Sequence, residues 1–281
     1  MSDNNFESSK KRYRRVLSIA GSDPSGGAGI QADIKTISAC GCFATTAITS
    51  IVDENTLGVT AVHPVPIRFV TGQIRSVLDD IGTDAIKIGM LHSAELVKAV
   101  KTTLDDYPEI TDIVLDPVMV ATSGDPLLEA DAVDTLKNLL IPCAAVITPN
   151  IPEAEILLGE KIENNDQLPD AARKLSESCG GVSVFLKGGH LTDNDLIDYF
   201  YNGKTGEILS MSSERIATRN THGTGCTLSS ALASFMAKGA PLDIAALNAK
   251  RYISAAIESG AEYEIGHGHG PVNHFFQWIG G

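Results

Sequence analysis

Apolar residues along this chain fall in short runs, separated by amphipathic stretches of helical spacing. "RVLSIAG" (15–21) is β-prone and stops at a glycine. "GIQADIKTISACG" (29–41) follows with a spacing that predicts one shared face for Ile30, Ile34 and Ile37. "ATTAITSIV" (44–52) is a strand candidate rich in β-branched residues. Pro66 fits the first helical position of "PIRFVTGQIRSVLDDI", and Ser93 fits the N-cap of "AELVKAVKTTL". "AIKIGM", "DIVLDPVMV", "AAVITPN" and "VSVFLKGG" read as further strands, each ended by glycine or proline. "TLSSALASFMAKG" and "DIAALNAKRYISAAIESG" read as two long helices, and a last short helix is expected from Pro271.

The strand candidates are continuous apolar runs, as strands covered on both faces are. Alternation of strand and helix along most of the chain predicts an α/β fold: a mostly parallel sheet with helices on both sides. No composition shift marks a linker, so one domain is expected over 15–281, after a flexible, solvated tail over 1–14. Its 281 residues, 43% of them hydrophobic, suffice for such a domain. A net charge of −13 disfavours a nucleic-acid-binding role. No apolar run approaches the roughly 20 residues of a membrane span, and the N-terminus lacks the apolar core of a signal peptide. The five cysteines are odd in number and scattered, which fits a reduced, cytoplasmic protein. "CGC" (40–42) has no second metal-type pair and reads as packing.

In sheets of this kind ligands gather at the carboxyl ends of strands, and "GSDPSGGAG", "DENT", "GMLHS", "DPVM", "TPNIPE" and "KGGH" all follow strand candidates. The first resembles a dinucleotide-binding turn only loosely, because its glycine spacing differs, and a sharp strand-to-helix turn explains it equally well. "NTHGTGC" (220–226) precedes a helix whose first N–H groups are unpaired, so Gly223, Thr224 and Gly225 could cradle a phosphate, or simply pack a helix start. Cys226 in the first turn would be favoured as thiolate by the helix dipole. Asn150 and Glu153 share a strand-to-helix turn where a carboxylate can orient magnesium, Asp116 ends a neighbouring strand, and Lys187 can reach a phosphate oxygen. Singly these are ordinary loop charges. Together they are the parts that phosphoryl transfer needs.

The ordered set "IAGSDPSGGAGIQADIKT", "KIGML", "VLDPVM", "ITPNIPEA", "KGGH" and "NTHGTGCTLSSA" closely resembles the hydroxymethylpyrimidine/phosphomethylpyrimidine kinases of thiamin biosynthesis, from about Val16 to the "GPVNHF" near the end. The resemblance implies a ribokinase-like three-layer sandwich, ATP with Mg2+, and transfer of phosphate to a pyrimidine hydroxymethyl group and then to the monophosphate. It implies an anion hole at Gly223, Thr224 and Gly225, and Cys226 where related sugar kinases carry a catalytic aspartate. It assigns Glu153 to magnesium, Asp116 beside it, Lys187 and Asn150 to the nucleotide phosphates, and Gly21, Asp33, Met90 and Val118 to the pyrimidine pocket. Glu54 also falls on that pocket, where family members usually carry glutamine. A homodimer is implied as well.

The nearest rival is a pyridoxal kinase of the same fold, whose substrate is also a flat heteroaromatic ring with a hydroxymethyl arm. A cysteine nucleophile activated by His222 or His190 is a second class, and it leaves Lys187 and Glu153 without a role. A vitamin-binding regulator without catalysis is a third. His267, His269 and His274 raise a metal reading, weakened by the glycines between them; a loop closing near the active site is the plainer expectation.

Overall fold

Residues 11–119, 130–189 and 195–278 are described in the computed structural model of the protein. Most of the expected N-terminal tail, and His190, therefore lie outside the described residues. The strands are β1 (Arg15–Ala20), β2 (Phe43–Ile48), β3 (Ser50–Asn55), β4 (Gly58–Pro64), β5 (Ala85–Ile88), β6 (Ile113–Leu115), β7 (Val146–Ile147), β8 (Ser183–Leu186), β9 (Asp195–Tyr201) and β10 (Ile208–Glu214). The α-helices are α1 (Gly29–Ala39), α2 (Ile67–Ser76), α3 (Ala94–Leu104), α4 (Ala130–Thr135), α5 (Ile151–Leu158), α6 (Leu168–Ser178), α7 (Thr224–Ala237) and α8 (Leu242–Gly260).

Alternation along each central strand explains the continuous apolar runs. Leu17, Ile19, Ile86, Ile88, Ile113, Leu115 and Ile147 pack with residues of α2, α3, α5 and α6. Their neighbours Val16, Ala85, Val114 and Val146 point the other way and pack with α1, α7 and α8. The main sheet has eight strands in the order β10-β9-β8-β7-β6-β5-β1-β2. From β8 to β2 all neighbours are parallel. The chain runs outward from β1 to β2, then resumes on the other side at β5, so a topological switch point lies between β1 and β5.

Several expectations are corrected. "ATTAITSIV" is not one strand: it breaks at Thr49, whose N–H donates to Ala20 O (3.0 Å) and whose hydroxyl donates to Met90 O (2.8 Å). Beyond the break, β3 pairs antiparallel with β4 in a separate two-stranded sheet. "DENT" is thus the end of β3 and the start of its turn rather than a loop that follows a strand. β9 and β10 add an antiparallel edge that the pattern did not announce. Ile34 is 40% exposed, because the inward stripe of α1 runs through Ile30, Asp33 and Ile37 instead. Pro66 is the N-cap of α2 rather than its first residue. Pro271 bridges His222, and the chain then ends its described part in a turn rather than a helix. Ser93 caps α3 as expected, accepting from Leu96 N–H, and Cys40 and Cys42 are buried in the core.

Candidate active site

A cavity of about 820 Å³ opens at the carboxyl ends of β1, β5, β6, β7 and β8. At one end the turn after β1 and the turn before α7 press together. Gly223, the N-cap of α7, has φ +76°, and a Cβ there would stand 1.8 Å from Gly27 O. No residue but glycine fits. Gly223 has no side chain to satisfy the first-turn N–H groups of α7, which by helix geometry have no partner within the helix. Gly223, Thr224, Gly225 and Cys226 line the cavity, and the first turn of a helix is where backbone N–H groups can receive an anion. A Cβ on Gly225 would lie 3.3 Å from Lys187 Nζ and 3.4 Å from Asp116 Oδ2, so this turn also borders both charged groups.

Lys187 directly follows β8 and is bridged to Asn150, the N-cap of α5. Its Nζ donates to Asp116 Oδ1 at 3.2 Å and stands 4.0 Å from Glu153 Oε2. Asp116 Oδ1 also accepts from Thr148 Oγ1 (2.9 Å), and Oδ2 from Ser229 Oγ (3.3 Å). Asn150 and Glu153 form a reciprocal capping box on α5: Asn150 Oδ1 accepts from Glu153 N–H at 2.9 Å, and Glu153 Oε2 from Asn150 N–H at 2.8 Å. Glu153 is therefore a helix cap as well as a cavity wall. Burial pushes its carboxyl up to about 7; Lys187 works against the shift and Asp116 adds to it. Burial disfavours the Lys187 ammonium, but Asp116 and Glu153 outweigh that and raise it.

Asp33 is a correction. It does not line the cavity but lies beneath it, fully buried. Its two oxygens each lie 2.9 Å from Lys87 Nζ, and they accept from Ser18 Oγ (2.6 Å) and Ser230 Oγ (2.7 Å). Ser18 and Lys87 are opposite one another in the β1–β5 register, on the face that packs against α1 and α7. Sequence reading missed Lys87, which does line the cavity. A charged residue inside an apolar strand was the available signal, since a buried lysine needs a buried carboxylate.

Cys226 is half-buried at the start of α7. The expectation of a stabilised thiolate does not hold. Burial pushes the thiol up to about 11; Lys87 and the Gly29 N–H pull it down, while Asp33 and Asp116 push it further up. Desolvation and two carboxylates outweigh Lys87 and the Gly29 N–H. His222, the candidate partner for a nucleophilic cysteine, is committed elsewhere: its Nε2 lies 2.9 Å from Asp23 Oδ2. Asp23, also missed, organises the first turn by accepting from Ser25 N–H (2.7 Å), Gly27 N–H (3.0 Å) and Ala28 N–H (2.6 Å). Burial opposes its ionisation, but His222, Ser25 and the Ala28 N–H outweigh that and hold the carboxyl well below the usual range.

Gly21, Glu54, Met90 and Val118 line the same cavity, so the structure brings together every expected site residue except Asp33. His274 is buried against Thr227 (3.2 Å), while the His267–His269 segment holds Thr56 at the hairpin tip through main-chain bonds. The three histidines do not converge. Asp198 and Lys250, on the far wall, pair at 2.8 Å.

The profile of a family described as Phosphomethylpyrimidine kinase matches residues 23–273. The chain belongs to that family. It is 45% identical over 263 residues to a hydroxymethylpyrimidine/phosphomethylpyrimidine kinase of Rhizobium meliloti, covering 94% of this chain and 97% of that one. It is 46% identical over 259 residues to the thiamine biosynthesis bifunctional protein ThiED of Geobacter sulfurreducens, covering 92% of this chain but only 52% of that longer protein. The crystal structure of an ADP complex of Bacillus subtilis pyridoxal kinase superposes with a TM-score of 0.86 at 35% identity, over 96% of this chain and all (100%) of that one. The ribokinase-like fold and a kinase activity follow from the family. Among the described residues, no helix is long and apolar enough to cross a membrane.

Proposed function

We propose that this protein uses ATP to phosphorylate 4-amino-5-hydroxymethyl-2-methylpyrimidine and then its monophosphate, giving the diphosphate for thiamin biosynthesis. One observation carries the reading: a first-turn anion seat, Lys187 and two buried carboxylates converge at one end of a single cavity, while Glu54, Met90 and Val118 line the same space. The ATP phosphates would lie against Gly223–Cys226 and Lys187. Cys226 would stand at the acceptor hydroxyl. A loose phosphoryl-transfer transition state asks little of a base, so the thiolate form of Cys226 would take the hydroxyl proton only late in the transfer.

Asp116 and Glu153 fit a magnesium ion. Two buried carboxylates face the Lys187 ammonium, and burial, with Asp116 adding to it, pushes the Glu153 carboxyl up to about 7. Magnesium needs only one or two carboxylates, with water and substrate phosphates completing its shell. When bound, it would neutralise charge on the phosphates. Glu153→Gln removes one ligand charge, so the half-saturating magnesium concentration for ATP turnover is expected to rise. An unchanged magnesium titration would remove Glu153 from the metal site.

Greater identity to the pyrimidine kinase than to the pyridoxal kinase, 45% against 35%, favours the pyrimidine. The test is kcat/KM for hydroxymethylpyrimidine and pyridoxal under the same ATP. A higher value for pyridoxal would reverse the substrate assignment.

A homodimer is supported by apolar exposure on the β3–β4 hairpin. Ile51 (50%) stands on its outer face, opposite His63, and Leu57 (69%) at its turn, while Phe69 (54%) is exposed on α2. Light scattering after size exclusion should give twice the 29.7 kDa chain mass, and Ile51→Glu should shift the mass toward the monomer. A parent that runs as a monomer would remove the dimer. All five cysteines are free, which is consistent with the cytoplasm.

A further inference from the structure

Three ionisable groups meet on the cavity wall beside the first turn. His222 Nε2 lies 2.9 Å from Asp23 Oδ2 and 3.9 Å from Glu54 Oε1. Their ligand atoms all lie within 4.8 Å of one another, as those of a metal site do. Asp23 Oδ2, however, already accepts from Gly27 N–H, Ala28 N–H and His222. An oxygen so occupied has little to give a cation. A hydrogen bond joins Asp23 and His222, and Glu54 stands 3.9 Å from the imidazole.

Burial disfavours a charged imidazole, but the bond to Asp23 and the charges of Asp23 and Glu54 raise His222 above its ordinary value. An imidazolium between two carboxylates leaves the trio with an excess of negative charge. Glu54 presents that excess to the cavity. An ionised carboxylate only accepts hydrogen bonds. The edge of an aminopyrimidine offers an amine donor beside a ring-nitrogen acceptor. The two edges match only when one proton is added between them.

We propose that Glu54 recognises the pyrimidine ring in its protonated, amidinium-like form, so that binding takes up one proton. This rests on the pyrimidine reading above. The ring N–H and the amine then both donate to the carboxylate, a charge-assisted two-point pair. The imidazolium of His222 keeps the proton on the ring rather than on Glu54, and the negative trio is the complement of a cationic ring. Several other charged and titratable groups among the described residues stand near the trio. Lys35 on α1 is tied to Gly26 O at 2.7 Å. His274 stays neutral, pushed down to about 4 by burial, Lys35 and His222. Lys87 is held by Asp33. His267 and His269 approach the hairpin through backbone bonds to Thr56.

The test is isothermal titration calorimetry of hydroxymethylpyrimidine binding to the full chain near neutral pH, in two buffers of different ionisation enthalpy. The parent should take up close to one proton per site. Glu54→Gln, whose amide donates to a neutral ring nitrogen and accepts from the amine, should take up close to none. In steady state the parent KM for the pyrimidine should rise as pH rises, by up to about tenfold per unit for one linked proton, while that of Glu54→Gln stays nearly flat. Parent binding without proton uptake, or equal slopes in parent and variant, overturns the inference. A pyrimidine that is phosphorylated without proton uptake overturns this inference alone. A pyrimidine that neither binds nor reacts overturns the substrate reading and this inference with it.

Discussion

Cys226→Ala slows phosphorylation of the pyrimidine alcohol by about 10²- to 10⁴-fold, the usual range for acid–base help. It slows phosphorylation of the monophosphate much less, because a phosphate acceptor has no hydroxyl proton to lose. The raised thiol adds a pH signature. With its pKa pushed up to about 11, Cys226 is protonated at neutral pH, and its base form grows about tenfold per pH unit below that value. The first-step kcat of the parent should therefore climb from pH 7 toward pH 9. Cys226→Asp should restore part of the first step and flatten the climb, since a carboxylate is already ionised. A covalent nucleophile gives another pattern: alanine abolishes both steps and a trapped adduct appears by mass. Equal losses for the two acceptors would sink the base assignment.

The second large effect concerns the two glycines of the anion seat, which fail in different ways. Gly225→Val places branched carbon where Lys187 Nζ and Asp116 Oδ2 lie, 3.3 and 3.4 Å from a Cβ. ATP turnover should fall at least about 10²-fold, the loss of one well-placed anion-hole donor, with the melting temperature little changed. Gly223→Ala adds a steric clash with Gly27 O at a backbone angle that suits only glycine. It should lose turnover and also about 1–3 kcal/mol of stability or more, because the two turns must part. A soluble Gly225→Val with normal turnover would remove the anion-hole assignment. A Gly223→Ala that melts like the parent would contradict the close contact of the turns.

The parallel core was legible because both faces of β1, β5, β6, β7 and β8 are buried, which writes an unbroken apolar run into each strand. The two hairpins were not. β4 is exposed along most of its length and β10 is exposed at every second residue with only Met211 buried, so neither leaves that mark. Site residues that sit in turns at strand ends, such as Asp116, Asn150, Lys187 and Gly223, could be read from residue type and position. Those whose meaning depends on a distant partner could not. Asp33 and Lys87 are 54 residues apart, and Asp23 and His222 are 199 apart. Only the packing of α1 and α7 on the sheet shows that Asp33 lies beneath the cavity held by Lys87, and that His222 pairs with Asp23 rather than with the thiol.

The central claim is sequential phosphorylation of one pyrimidine by one cavity. Its most direct measurement is a time course of purified protein with hydroxymethylpyrimidine and magnesium ATP, followed by mass spectrometry and phosphorus NMR, with pyridoxal in a parallel reaction. The account predicts a pyrimidine monophosphate that rises first and is then converted to the diphosphate, with ADP formed at each step, and slower reaction of pyridoxal. No phosphorylated pyrimidine, or pyridoxal phosphate forming as the faster product, would contradict it.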